Sequence, residues 1–226
     1  MIQFDFGAVL QEWPLLLKGV AFTIALTAIS AVVGVFVGIV CAWVRVYGKG
    51  VTKWLVSTYV ELIRNTPFIV QLFFIFFGLP SLGIKLTAES ASIIAMVVNL
   101  GAYAAEIVRA GIEATPKGQI DAAMSIALKP IQIFRFIVLP QALQKTWPSM
   151  VSQIIIVMLG SAVCGQISTE ELSFAANLIQ SRNFRAFEAF IVATLIYLAL
   201  SIALRATLNW LGPKLLFGKS SQLGRG

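Results

Sequence analysis

The chain has 226 residues, 58% of them hydrophobic and only 12% charged, with a mean hydropathy of +0.89. Soluble domains carry about 25% charged residues, so this complement cannot cover a water-facing surface and the composition excludes an ordinary soluble protein. Histidine is absent, which excludes imidazole triads, His metal sites and His proton relays, and the formal charge of +7 reads as a membrane-topology signal rather than a nucleic-acid footprint.

The opening stretch, MIQFDFGAVLQEWP, carries Asp5 and Glu12 and no basic residue, so it does not read as a signal peptide. A spanning helix needs ~20 mostly apolar residues, and the first such run is predicted from Gly19 to Val44. Its Gly34 and Gly38 make a small-residue face that permits close helix approach. Cys41 in this run and Cys164 further on have no metal-type spacing and read as small core residues.

The stretch VTKWLVSTYVELIRNTP, ending at Pro67, mixes polar and apolar residues. It is predicted to be a helix lying along the membrane surface, with Trp54 and Tyr59 at the interface. Glu61 and Arg64 are spaced as a helical ion pair. Thr66-Pro67 reads as an N-cap followed by proline at the first helical position. It opens a second predicted span, Pro67 to Ile84, whose single polar interruption is Gln71. The third span is predicted from Ala88 to Val108, with Asn99 at mid-depth. Glu106 and Arg109 at its end repeat the ion-pair spacing, and both pairs read as structural anchors rather than substrate contacts.

A more polar segment, about residues 109–148, then interrupts the apolar chain with PKGQIDAAMSIALKPIQIFRFIVLP. Thr115-Pro116 repeats the cap-plus-proline start. Ile120, Ala123, Met124, Ala127 and Leu128 recur at helical spacing, and Lys129-Pro130 is predicted to end that helix. A second apolar piece is predicted to stop at Pro140. Asp121 and Lys129 are placed to pair at the rim. Two readings of the small-residue helix stay open on physics alone: it seats in a shallow groove of another protein, or it rests on the bilayer surface.

The fourth span is predicted from Ser149 to Thr169 and the fifth from Phe187 to Leu211. Gln71, Asn99, Gln153 and Ser161 are the polar groups deepest in these spans, and such groups face the bundle interior, where they bond another helix or line a path. Basic residues gather on one side: Arg45, Lys49, Lys53 and Arg64; then Arg109, Lys117, Lys129, Arg135 and Lys145; then Arg205, Lys214, Lys219 and Arg225. Acidic Asp5, Glu12, Glu89, Glu170, Glu171 and Glu188 offset Lys18, Lys85, Arg182 and Arg185 on the other. The positive-inside rule then places the N-terminus outside, the C-terminus in the cytoplasm and the polar segment on the cytoplasmic face. One domain, 1–226, is expected, with no catalytic residue and no metal site. GPKLLFGKS, Gly212 to Ser220, has one residue too many between its glycines for a phosphate-binding loop and no preceding strand, so ATP hydrolysis is assigned to a partner. Two rival classes are an ion-coupled secondary carrier or channel, which calls for an intramembrane Asp, Glu or His relay, and an intramembrane protease, which calls for His or paired Asp at membrane depth.

The central segment resembles the EAA loop of bacterial type I ABC-importer permeases: Glu-Ala-Ala, three residues, Gly, then Ile-x-Leu-Pro. Here the matching residues are Asp121-Ala122-Ala123, Ala127 and Ile137-Val138-Leu139-Pro140. Asp replaces Glu, and Ala127 replaces the glycine. VELIRNTPFIVQLFFIFFGLP, GAYAAEIVRAGIEATPKGQ, and ISTEEL followed by QSRNFRAFE are similar to the polar amino acid branch of that family, so the resemblance covers most of the chain. It implies an all-α integral membrane fold of about five transmembrane helices in the bacterial inner membrane. It also implies a permease subunit working by alternating access and driven by a separate ATPase. The implied coupling residues are Gly118, Gln119, Asp121, Ala122, Ala123, Met124, Ala127, Leu128 and Lys129. The implied partners are a second permease subunit (identical or a sister chain), two cytoplasmic ATPase subunits holding the ATP and Mg²⁺, an external substrate-binding protein and an amino acid. Leu159 and Gly160 stand where many relatives carry Lys-Asp, which implies a less charged pathway than theirs.

Overall fold

The computed structural model describes residues 4–217; Lys219 and Arg225 of the basic tail and the last residues of the GPKLLFGKS stretch lie outside them. The described residues are helical, with no strand among them. The helices are α1 (Phe6–Leu10), α2 (Trp13–Tyr47), α3 (Gly50–Arg64), α4 (Phe68–Ser81), α5 (Ala88–Glu113), α6 (Lys117–Ser125), α7 (Pro130–Ile167), α8 (Leu172–Asn183) and α9 (Ala186–Phe217).

Composition explains this outcome. With no water in the hydrocarbon to satisfy backbone groups, an apolar chain closes its hydrogen bonds within each helix. Four helices (α2, α5, α7 and α9) are long and apolar enough to cross a membrane, and a fifth crossing arises if α3 and α4 count as one bent unit. Large side chains point outward to lipid, with Val32 73% and Phe36 66% exposed, while α2 buries small residues, among them Gly19, Thr23, Ser30, Gly34, Gly38 and Ala42. That inversion of the soluble pattern is expected where lipid is as apolar as the core and close packing holds helices together. The α2–α5 pair is the most extensive contact in the bundle, and α5 starts from a capping box in which Thr87 and Ser90 each accept the other's backbone N–H.

The expected second span needs correction. At 1.5 Å per residue α4 is about 21 Å long, short of a ~30 Å hydrocarbon core, and it turns by 114° from α3. Nor does α3 simply lie on the surface: Val60 is fully buried, and Tyr59, expected at the interface, donates from its hydroxyl to the Val98 carbonyl of α5 at 2.7 Å. The threonine caps also differ. Pro67 and Pro116 themselves occupy the N-cap positions with extended backbone, and Thr66 and Thr115 turn back to donate to Leu62 O and Gly111 O of the preceding helices.

Pro140 does not stop its helix. The predicted fourth span is the inner part of a 38-residue helix that starts at Pro130 and runs through both Pro140 and Pro148. A wide π turn, Phe134–Val138, immediately precedes Leu139-Pro140, and a matching one, Phe74–Gly78, precedes Leu79-Pro80 in α4. Proline lacks an N–H, and its ring strikes the carbonyl four residues back. Widening the turn ahead of it relieves that contact and lets the helix continue.

A second, smaller core (Val9, Leu16, Leu172, Ala175, Ile179, Ala189) joins α1, the start of α2, α8 and α9 at the far end of the bundle from α6. Glu171 caps α8 by accepting from the N–H groups of Ser173 and Phe174 and from the Tyr197 hydroxyl, and Thr23 Oγ1 accepts from Leu172 N–H at 3.2 Å.

Candidate functional site

Three arrangements at and near the α6 end of the bundle concern function. The first is α6 itself. It is mounted tightly: a Cβ on Gly111 of α5 would lie 2.7 Å from Ala142 O of α7, and Gln141 Nε2 donates to Gln119 Oε1 at 2.7 Å. Ile120 is half-buried, Ala123 is 3% exposed, and both pack inward with Leu128 against the spanning helices. Gly118, Gln119, Asp121, Ala122, Met124, Ser125 and Ile126 are exposed. The apolar stripe read from the sequence is therefore the seat of the helix, and the face it leaves open carries Gly118, Asp121, Ala122 and Ser125. Ala123, expected at a partner contact, is corrected to an internal residue.

The helix also ends earlier than expected, at Ser125 rather than Lys129. Ala127 N–H bonds to Met124 O and Leu128 N–H to Ala123 O, at 2.9 and 3.3 Å. That is the Schellman pattern of a helix end, and Ala127 holds the left-handed position with φ 59° that glycine normally takes. The glycine of the EAA pattern thus has a backbone explanation, and Ala127 is a terminator rather than part of a helical contact stripe. Asp121 and Lys129 form no ion pair among the described residues.

The second arrangement is a groove of about 430 Å³. Its polar lining is Thr66, Asn99, Tyr103 and Gln153, from the α3–α4 bend, α5 and α7; its apolar lining includes Phe68, Ile156 and Gly160. Of the four deep polar residues singled out in the sequence, Asn99 and Gln153 line this groove. Gln71 is buried behind it, where its Nε2 donates to Ile63 O, Thr66 O and Thr66 Oγ1 and its Oε1 accepts from Asn99. Ser161 is buried and donates to Met158 O.

The third is an ion cluster. Glu106 pairs with Arg109 as expected, but it also takes Arg45 of α2 and Arg64 of α3. Glu61 does not pair with Arg64; it meets Arg45 at 3.7 Å, and Arg109 reaches on to Glu113. Spacing along one helix could not reveal Arg45, because the pairs that matter run between helices. Tyr103, which lines the groove, was likewise hidden in an apolar run. Among the described residues no group of three or more His, Cys, Asp or Glu is placed to hold a metal ion.

A solved structure described as an amino acid ABC transporter with histidines superposes with a TM-score of 0.84 at 32% identity, covering 95% of this chain and all of the other. The MetNI methionine ABC transporter matches in fold at 23% identity and TM-score 0.73, covering 87% of this chain and 94% of the other. The class is thus the type I ABC-importer permease. Curated relatives agree. The arginine transport system permease protein ArtQ of Bacillus subtilis (strain 168) is 31% identical over 88% of this chain and 92% of its own. The probable glutamine ABC transporter permease protein GlnM of the same organism is 34% identical over 84% and 88%, and the glutamine transport system permease protein GlnP of Escherichia coli (strain K12) is 29% identical over 90% and 94%. Residues 34–217 match the family of binding-protein-dependent transport system inner membrane components, and the chain belongs to that family.

Proposed function

We propose that this chain is the membrane-spanning subunit of an ATP-driven amino acid importer, with its N-terminus outside and its C-terminus and α6 in the cytoplasm. The observation that carries this reading is the mounting of α6. Its apolar side is consumed by its own spanning helices, and a short polar and small-residue face is held out in a fixed pose. Such a face suits close approach by another protein and is poorly suited to lipid, which wants Lys, Trp and Phe around an apolar stripe. The other protein is a cytoplasmic ATPase, present twice and carrying the ATP and Mg²⁺. A second permease subunit closes the groove into a pathway, and an external binding protein delivers the amino acid.

In this scheme ATP-driven closure of the ATPases draws two copies of α6 together, and the pathway exchanges inward for outward access. The groove residues Asn99, Tyr103, Thr66 and Gln153 offer uncharged hydrogen-bonding groups along the route, and this chain carries out no covalent step. Cysteine placed at Ala122 is expected to crosslink to the ATPase in inside-out vesicles, while cysteine at Ala123, facing inward, is not. Crosslinking at Ala123 with none at Ala122, or labelling of Ala122 from the external face, defeats the proposal.

A further inference from the structure

One face of α5 carries Asn99, Tyr103 and Glu106, a turn apart from one another. All three reach the bend between α3 and α4. Asn99 Nδ2 donates to Gln71 Oε1 at 3.0 Å, the Tyr103 hydroxyl donates to Arg64 O at 3.5 Å, and Glu106 Oε2 meets Arg64 Nη1 at 3.5 Å. The Arg64 guanidinium also lies over the Tyr103 ring, 5.7 Å from its centre. Gln71 ties the bend internally through Ile63 O and Thr66.

Little else holds the bend. Asn65, Thr66 and Pro67 are exposed, so directional polar bonds rather than apolar packing fix its pose. The same residues, Thr66 and Pro67, form one wall of the groove. At its other end α5 passes through only Ala114, Thr115 and Pro116 into α6. Arg45 on the shared carboxylate of Glu106 brings the end of α2 into the same assembly. Arg64 Nε is buried with no hydrogen-bond partner, an unmet donor that a second pose of the bend would satisfy.

We propose that the bend Arg64–Gln71 is a gate of the groove, and that Asn99, Tyr103 and Glu106 are positioning residues that move it when α6 is displaced. The proposal rests on the transporter reading above. Discrete polar contacts give such an element two alternative arrangements, which a packed apolar seam does not readily offer. The gate therefore opens and shuts by exchanging bonds at Arg64 and Gln71, with α5 acting as the rigid rod between gate and α6.

The test uses the full importer, this chain with its co-purified ATPase, in liposomes containing ATP and supplied outside with binding protein and a radiolabelled amino-acid mixture. Glu106→Gln and Gln71→Leu act at opposite ends of the clasp, and Tyr103→Phe removes one hydroxyl. Uptake per ATP hydrolysed is expected to fall roughly tenfold in the first two and less in the third, while assembled complex and basal hydrolysis are retained. Uptake per ATP within about twofold of the unmutated value in assembled Glu106→Gln and Gln71→Leu overturns the gate. So does a loss of uptake fully accounted for by lost assembly in all three variants. Uptake by the unmutated importer that ignores ATP would instead overturn the transporter reading, and the control shows it directly.

Discussion

The Cβ that Gly38 lacks would lie 2.4 Å from the Cβ of Ala104 and 2.9 Å from the amide nitrogen of Ala105. Backbone, not a side-chain tip, stands in the way, so Gly38→Ala must part α2 from α5. Overpacking of this kind costs about 1–3 kcal/mol. At Gly34 the neighbours are only the side-chain atoms of Leu100, starting at 3.0 Å, and that side chain can turn aside. Heat inactivation of the detergent-purified chain is expected to come distinctly earlier in Gly38→Ala than in Gly34→Ala; equal shifts would contradict the close approach.

Ala127 carries its side chain at φ 59°, where a Cβ is strained and glycine is not. Ala127→Gly is expected to stabilise the end of α6 by roughly 1 kcal/mol, and Ala127→Val to weaken it further. Hydrogen exchange at Leu128 N–H, which bonds Ala123 O, reads the change: slower exchange in the glycine variant is the expected sign.

Gly212 of α9 faces Trp147 of α7, and a Cβ there would come within 2.2 Å of the indole Nε1, which donates to Leu208 O at 3.3 Å. Gly212→Ala should therefore push the indole away and cost about 1–3 kcal/mol. Trp147→Phe in the same chain removes the obstruction, so the two substitutions together should cost less than the sum of their separate effects. Simple additivity in thermal unfolding would show that the contact does not limit α7–α9 packing.

Glu171 lies fully buried at the start of α8. Burial pushes its carboxyl above the usual carboxylate range, against the Tyr197 hydroxyl and the Ser173 and Phe174 N–H groups, which favour the charged form. With the folded pKa above the unfolded one, the folded chain holds the proton longer. This contribution to stability is full below the unfolded pKa and is lost as pH rises through the folded value. Thermal stability should decline between about pH 5 and about pH 8 by an amount that Glu171→Gln abolishes. An unchanged slope in that variant would assign the pH response elsewhere.

The hydrophobic runs made α2, α5, the inner part of α7 and α9 legible from the sequence, because apolar length alone decides whether a helix can cross a bilayer. The bend at Asn65–Pro67 was not, since its angle depends on Gln71 reaching back three ways to a preceding helix, a contact that leaves no periodic trace. Pro140 misled for a local reason: the rule that proline ends helices holds for a regular turn, not for one already widened. Likewise the stripe from Ile120 to Leu128 was visible, but periodicity marks which face is buried without saying what covers it. Here the protein's own helices cover it, so the open face is defined by what the stripe omits.

The wide turn Phe134–Val138 has a numerical consequence. Such a turn carries one residue more than the regular turn it replaces. Excising any one of these residues would restore ordinary pitch and rotate everything downstream by roughly 100° about the axis, swinging Gln153 away from Asn99 and towards lipid. Letters between Pro130 and Gln153 can therefore drift, but their number cannot: a single-codon deletion there would be more damaging than most substitutions.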